Sequence, residues 1–283
     1  KTNISTGYPF LDKCLDGGWF PGSLISFISG PKIGKSAWMI NLGINNIRNG
    51  DNCAFISLEL TIPMIIKRFS ANVLNLTMEE YSYKLENDPE TIKKGLKEFS
   101  QKYKGTMEMI HLPTSRSSVS EIERYLLELE SEMNIKFNVI YIDYFNLLMD
   151  SKSKGDFSYL KIKNIVEDLR GMAMANNWCV VSPTQTNRQA ARGEGIELEN
   201  VSESHGVSQT VDALFAIETN DKLKEQGQQR LRCMLSRVSG YQEYYHNYNV
   251  NWSTMRIEEQ IGNIERKMQG LSGEIMDELD KFE

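Results

Sequence analysis

The chain has 283 residues, 40% of them hydrophobic and 25% charged, with a formal net charge of −6. That balance fits one large or two small globular domains with a real core; it excludes a generally basic protein that coats nucleic acid, while leaving room for a local cluster of cations. No apolar run approaches the length of a membrane span and no charged-then-apolar signal opens the chain, so a cytoplasmic location is expected. The chain begins with Lys1 rather than Met, which implies a fragment whose upstream part is unseen. Cys14, Cys53, Cys179 and Cys233 are far apart, show no metal-ligand spacing and read as buried free thiols of a reducing compartment.

In chain order, Leu24–Ile28 reads as a buried strand, and Ala37–Ile44 has the apolar spacing of a helix. Between them runs Ser-Gly-Pro-Lys-Ile-Gly-Lys-Ser, from Ser29 to Ser36. A strand, a small-residue loop and a helix opening on Gly-Lys-Ser make a phosphate cradle. Backbone N–H groups turn inward, the helix N-terminus adds partial positive charge, Lys35 reaches the β/γ phosphates and the Ser36 hydroxyl holds Mg²⁺. Ser29, Gly30, Pro31, Lys32, Ile33, Gly34, Lys35, Ser36 and Ala37 are therefore the candidate contacts to a nucleoside triphosphate with Mg²⁺. Ser29 stands where the first Gly of this pattern usually sits, and Gly30 is expected to supply the flexibility instead.

Further strands are expected at Ala54–Leu58, Met107–His111, Val139–Ile142, Trp178–Ser182 and Ala213–Ile217, with helical patterns after Ile62, Ser120 and Tyr159. The alternation implies an α/β fold with a mostly parallel twisted sheet flanked by helices. From Leu231 on, strand formers and aromatics imply antiparallel hairpins that finish the sheet. From Ile261 a three-and-four apolar spacing implies a helical stripe in an acidic tail, which divides the chain into a domain over 1–260 and a tail over 261–283 that packs either on the domain itself or on a neighbouring subunit or partner protein.

Several strands end in polar residues. Asp143, closing Val139–Asp143, is the expected metal holder opposite the phosphate loop. Glu59, closing Phe55–Glu59, either polarises the attacking water or caps the helix before Ile62-Pro63. Gln185, closing Val180–Gln185, either senses the γ-phosphate or is a loop residue without a role. Two polar stretches, 150–156 and 186–206, follow strands where parallel sheets place ligands.

These residues resemble the RecA-like motor domain of DnaB-type replicative helicases, from about Ile4 to Gln260. The resemblance lies in Thr6–Asp12, Gly17-Gly18, Pro21–Ile25, Ser57–Leu60, Ile142–Tyr144, Thr184–Arg188 and Glu203–Gly206 with Val211-Asp212, and the spacing is closest to phage members. It implies a RecA-like P-loop NTPase that binds ATP between neighbouring subunits of a homo-hexamer around one DNA strand, moves 5′ to 3′, and works with primase and helicase-loader proteins. It also implies that Arg237 is an arginine finger on the neighbour's γ-phosphate. The family usually has Lys where this chain has Leu235, and Arg232 or Arg230 is the expected substitute. For single-stranded DNA the implied contacts are Ser204, His205 and Gly206, with Arg188, Arg192, Lys152 and Lys154 adding charge in the two loops; the lysines read equally as solvated loop residues. Two other readings stand beside this one. One is a RecA-, RadA- or KaiC-like ATPase of recombination or repair. The other is a nucleotide-gated scaffold that no longer hydrolyses.

Overall fold

The computed structural model describes residues 3–150, 152, 158–185, 204–262 and 264–266. A ten-stranded sheet runs in the order β10-β8-β7-β6-β1-β5-β4-β2-β3, with β9 paired to β8. The parallel part comprises β1 (Leu24–Ser29), β2 (Asn52–Ser57), β3 (Thr106–His111), β4 (Val139–Asp143), β5 (Cys179–Gln185) and β6 (Ala213–Glu218). All six strands expected from the sequence are present, each within a few residues of its expected bounds. An antiparallel extension follows in β7 (Gln228–Ser236), β8 (Tyr244–Asn251), β9 (Arg256–Glu259) and β10 (Glu265–Arg266).

Strand side chains alternate between two cores, as a period of two requires. Phe27, Phe55, Tyr141, Val181 and Phe215 pack with α2 (Lys35–Asn49) and α3 (Ile62–Leu74). Ile28, Ile56, Ile142, Val180 and Ala216 face the opposite way, toward α6 (Val119–Met133) and α7 (Ser158–Asn176). Because both faces are covered, the strands read as continuous apolar runs, and each fully buried large side chain contributes about 1.5–3 kcal/mol. The four cysteines are buried and free. Among the described residues no helix is long and apolar enough to cross a membrane.

The helical interval after Ile62 holds α4 (Met78–Asn87) and α5 (Pro89–Lys102) besides α3, and three further helices were not expected: α1 (Pro9–Cys14), α8 (Ser204–Thr210) and α9 (Asp221–Glu225). α4 buries Tyr81 and is started by a capping box between Thr77 and Glu80, whereas α5 carries an apolar stripe of Ile92, Leu96 and Phe99. The helical stripe expected from Ile261 begins differently, since Glu265 and Arg266 pair antiparallel with Tyr245 and Tyr244 of β8. Residues 267–283 lie outside the described residues.

The chain lays down β1, crosses to β2 and β3, returns through β4 and β5, then steps to the other side of β1 with β6. That reversal beside β1 is where parallel sheets open a crevice at their C-terminal edge. The β4–β5 pairing stops at Tyr141–Val181. Pro183, which has no N–H, follows that point, so a central strand accommodates it without losing a ladder bond to β4. The Ser182 hydroxyl bridges the gap instead, donating to Ile142 O (2.6 Å) and accepting from Phe145 N–H (3.1 Å).

Candidate active site

At this edge β1 gives way to the loop and α2. The left-handed positions are Lys32 (φ 62°) and Gly34 (φ 102°), so Gly34, rather than Gly30, is the residue whose backbone requires glycine. A Cβ on Gly34 would lie 2.4 Å from the ring of Trp252. Gly34 is also the N-cap of α2 and no side chain caps that end. The first-turn amides of α2 are thus left for an anion.

Lys35 is buried, with Nζ 3.5 Å from Gly30 O and 5.6 Å from the centre of the Tyr144 ring. Burial lowers its pKa, and the charges of Asp143 and Glu59 oppose that shift. Asp143 is fully buried, and neither carboxylate oxygen has a hydrogen-bond partner. Burial pushes its pKa up to about 6, while the nearby Ser36 side chain lowers it and Glu59 raises it. An orphaned buried carboxylate beside a hydroxyl and a phosphate loop is the donor set Mg²⁺ takes when phosphates and waters complete its shell. The residues present fit that ion. Arg68 of α3 adds a further positive charge near Asp143.

Strand register assembles the remaining candidates. Ser57 lies opposite Asp143, and Ser29 lies opposite Gln185. Leu60 N–H donates to Ser57 Oγ (2.8 Å), turning the chain directly after Glu59. Glu59 is exposed and close enough to Lys35, Asp143 and Tyr144 to act electrostatically on all three. It does not cap α3, whose N-cap is Thr61. The fold therefore brings the loop, Lys35, Ser36, Asp143, Glu59 and Gln185 to one crevice. Sequence reading missed Tyr144, Arg68, Gln229 and Trp252 there. The position of Tyr144 directly after Asp143 was the one local hint.

Arg237 stands elsewhere. Its N–H donates to Asp212 O (2.9 Å), and Ser236 pairs with Ala213, which pairs with Ile25 at the start of β1. The side chain is exposed and donates to Gln209 O at the end of α8. It lies at the opposite edge of the sheet from its own phosphate loop, about 16 Å away along β1 at roughly 3.3 Å per residue. The expected substitutes for a cation at position 235 do not serve. Arg232 is buried and paired at 2.7 Å to both Glu218 and Glu243. Arg230 stacks on Tyr245 (4.1 Å to the ring centre) at the other end of β7. Leu235 packs against the core on the α6/α7 face, which is why an apolar residue suits that position.

Of the expected DNA contacts, Arg188, Arg192 and Lys154 lie outside the described residues. Lys152 is exposed and ion-paired to Asp168 of α7. Ser204 and His205 open α8, and Gly206 is buried against Lys163, 3.3 Å from where its Cβ would stand.

Residues 3–274 match the family described as the DnaB-like helicase C terminal domain. The chain is 24% identical over 241 residues to a DnaB-like replicative helicase of Enterobacteria phage T4, covering 80% of this chain and 48% of that protein. It is 25% identical over 280 residues to the replicative DNA helicase DnaB of Helicobacter pylori, covering 93% and 53%. It therefore spans about half the length of these curated relatives. Its fold is similar to that of a separately solved ATPase domain, with TM-score 0.80, 18% identity and 92% of each chain covered. It is also similar to a DnaB-like replicative helicase solved for its interactions with primase, with TM-score 0.77, 18% identity, and coverage of 92% of this chain and 62% of that one.

Proposed function

The chain belongs to the DnaB-like helicase C-terminal domain family, and from that premise we propose that it is the motor of a hexameric replicative helicase, which hydrolyses ATP to move 5′ to 3′ along single-stranded DNA. The observation that carries this reading is the convergence of Lys35, Ser36, Asp143, Glu59 and Gln185 on one crevice, while Arg237 faces solvent at the far edge.

The loop amides and Lys35 hold the β and γ phosphates. Ser36 and Asp143 hold Mg²⁺, which when bound neutralises charge on the phosphate oxygens. Glu59 orients the attacking water and accepts its proton. Gln185, next to Ser29, hydrogen-bonds the γ-phosphate and reports its loss to the segment that follows β5. Within one chain no residue of this set places a mobile cation on the γ-phosphate from outside. Arg237 of the adjacent protomer supplies it, a contribution of about 10³–10⁵ in other phosphoryl-transfer enzymes. Ser204, His205 and Gly206, with the cations of the two loops, follow the DNA backbone without reading sequence. A primase and a helicase loader are the proposed protein partners; the relative solved for its interactions with primase supports the former.

The test is ATPase activity with and without single-stranded DNA. Stimulated turnover that Lys35→Ala or Glu59→Gln abolishes is expected; undiminished turnover in Glu59→Gln removes that residue as the base. Electron microscopy with DNA and a non-hydrolysable nucleotide distinguishes closed six-fold rings from the filaments of a recombination ATPase. Measured turnover disposes of a scaffold without hydrolysis.

A further inference from the structure

We infer that Gln229, on β7, is a positioning residue for nucleotide binding: it fixes the peptide between Ile33 and Gly34 so that the Gly34 N–H is presented to the phosphates. The inference rests on the nucleotide-site reading above and adds a residue far from the loop in sequence. Gln229 is buried, 3% exposed. Its Nε2 donates to Ile33 O at 2.6 Å, and its Oε1 accepts from the indole N–H of Trp38 at 2.8 Å.

The orientation of this amide is forced. An indole N–H can only donate, so Oε1 must face Trp38 and the NH₂ must face the Ile33 carbonyl. Trp38 is itself held edge-on by Tyr248 (ring centres 4.8 Å apart) and Tyr8 (5.8 Å). Gln229 pairs with Tyr248 in the β7–β8 ladder, so strut and anchor belong to one rigid block.

In a planar trans peptide C=O and N–H point in opposite directions. Pinning the Ile33 carbonyl toward β7 therefore turns the Gly34 N–H away from β7. Glycine is the residue at which a peptide flips most easily, and here a second restraint opposes the flip. The Trp252 ring occupies the space beside Gly34, at the tip of the β8–β9 hairpin. That tip is bolted to α2 and α3, because Asn41 and Asn72 both donate to Met255 O (2.9 and 2.8 Å). The loop is preorganised from the antiparallel extension of the sheet, so little ordering is left for nucleotide binding to do.

The test measures the affinity of a fluorescent ATP analogue with Mg²⁺ at pH 6 and pH 8, for wild type, Gln229→Glu and Gln229→Met, at a temperature where thermal melts show all three folded. Gln229→Glu keeps the length and the acceptor for Trp38. Its carboxylate opposes the Ile33 carbonyl when ionised and donates to it when protonated. Its affinity relative to wild type is expected to fall about tenfold at pH 8, the range for a lost hydrogen bond to a charged group, and to recover at pH 6. Gln229→Met loses about tenfold at both pH values, with kcat at saturating ATP changed less than KM. Variants that bind within twofold of wild type at both pH values overturn the inference, and Gln229→Met decides it alone if the charged variant does not fold. Wild type that binds no analogue defeats the nucleotide-site reading instead.

Discussion

The two ends of β7 differ in burial and in what they bond, and on the function proposed above that difference separates binding from turnover. Near its start, Gln229 is buried, bonded to the phosphate loop and to Trp38, and Arg230 is stacked on Tyr245. Just past its end, Arg237 is exposed and bonded to one backbone carbonyl of α8. One end braces the chain's own nucleotide site, and the other presents a cation to whatever lies beyond the sheet. On the function proposed above, a single chain supplies the groups that hold Mg²⁺ and ATP, and an adjoining copy supplies charge for the transition state.

The largest expected effect breaks this division if it fails. Arg237→Ala should cut DNA-stimulated turnover by roughly 10³-fold while leaving nucleotide affinity within about twofold, since the finger acts on transition-state charge. Mixing Arg237→Ala with Lys35→Ala protein should then restore part of the turnover, because some interfaces pair an intact loop with an intact finger. Mixtures as inactive as their components, in assemblies shown to exchange subunits, would place Arg237 outside the site.

The next effect lies at the loop end and follows pH. In the metal-free protein Asp143 holds its proton up to about pH 6, against 3.8 for an ordinary aspartate. Below pH 4 folded and unfolded states are both protonated and the group costs nothing. Between about 4 and 6 the folded state binds more protons than the unfolded one, so stability falls as pH rises, and above 6 the full penalty of about 3 kcal/mol persists. Asp143→Asn should therefore stabilise the metal-free protein against urea at pH 8 and not at pH 4, while abolishing turnover. Equal stability of variant and wild type at both pH values would mean that Asp143 is solvated. Magnesium should protect the wild type from urea more strongly at pH 8 than at pH 5.5, because a proton and the metal compete for the same carboxylate.

How far each end was legible follows from the range of its contacts. The parallel strands announce themselves through runs buried on both faces, and Asp143, Glu59 and Gln185 stand out because each closes such a run. The loop is contiguous, from Ser29 to Ser36. The brace is different: Gln229 meets Ile33 across 196 residues and Trp38 across 191. A glutamine in a strand carries no local mark of such a partner. The expectation at Gly30 failed for the same reason, since the left-handed φ falls at Gly34, beside Trp252, and the loop sequence shows neither. Arg232 illustrates the converse. It was an expected substitute for the cation missing at position 235, yet its place on β7 puts it between Glu218 and Glu243, and a guanidinium 2% exposed is held by those carboxylates.

The smallest effect sharpens the comparison from the hairpin side. Gly34→Ala forces a Cβ to 2.4 Å from the Trp252 ring at a left-handed φ, for an expected loss of about 1–3 kcal/mol of stability and of most nucleotide affinity. Trp252→Ala in the same chain removes the steric part and leaves the backbone part. The double variant should therefore regain stability relative to Gly34→Ala alone without regaining the affinity of the wild type. The single variant Trp252→Ala leaves Gln229 in place, so its affinity should fall by about threefold, less than that of Gln229→Met. A larger loss from the tryptophan than from the glutamine would shift the main restraint on the loop from β7 to the hairpin tip, and with it the division of labour between the ends of that strand.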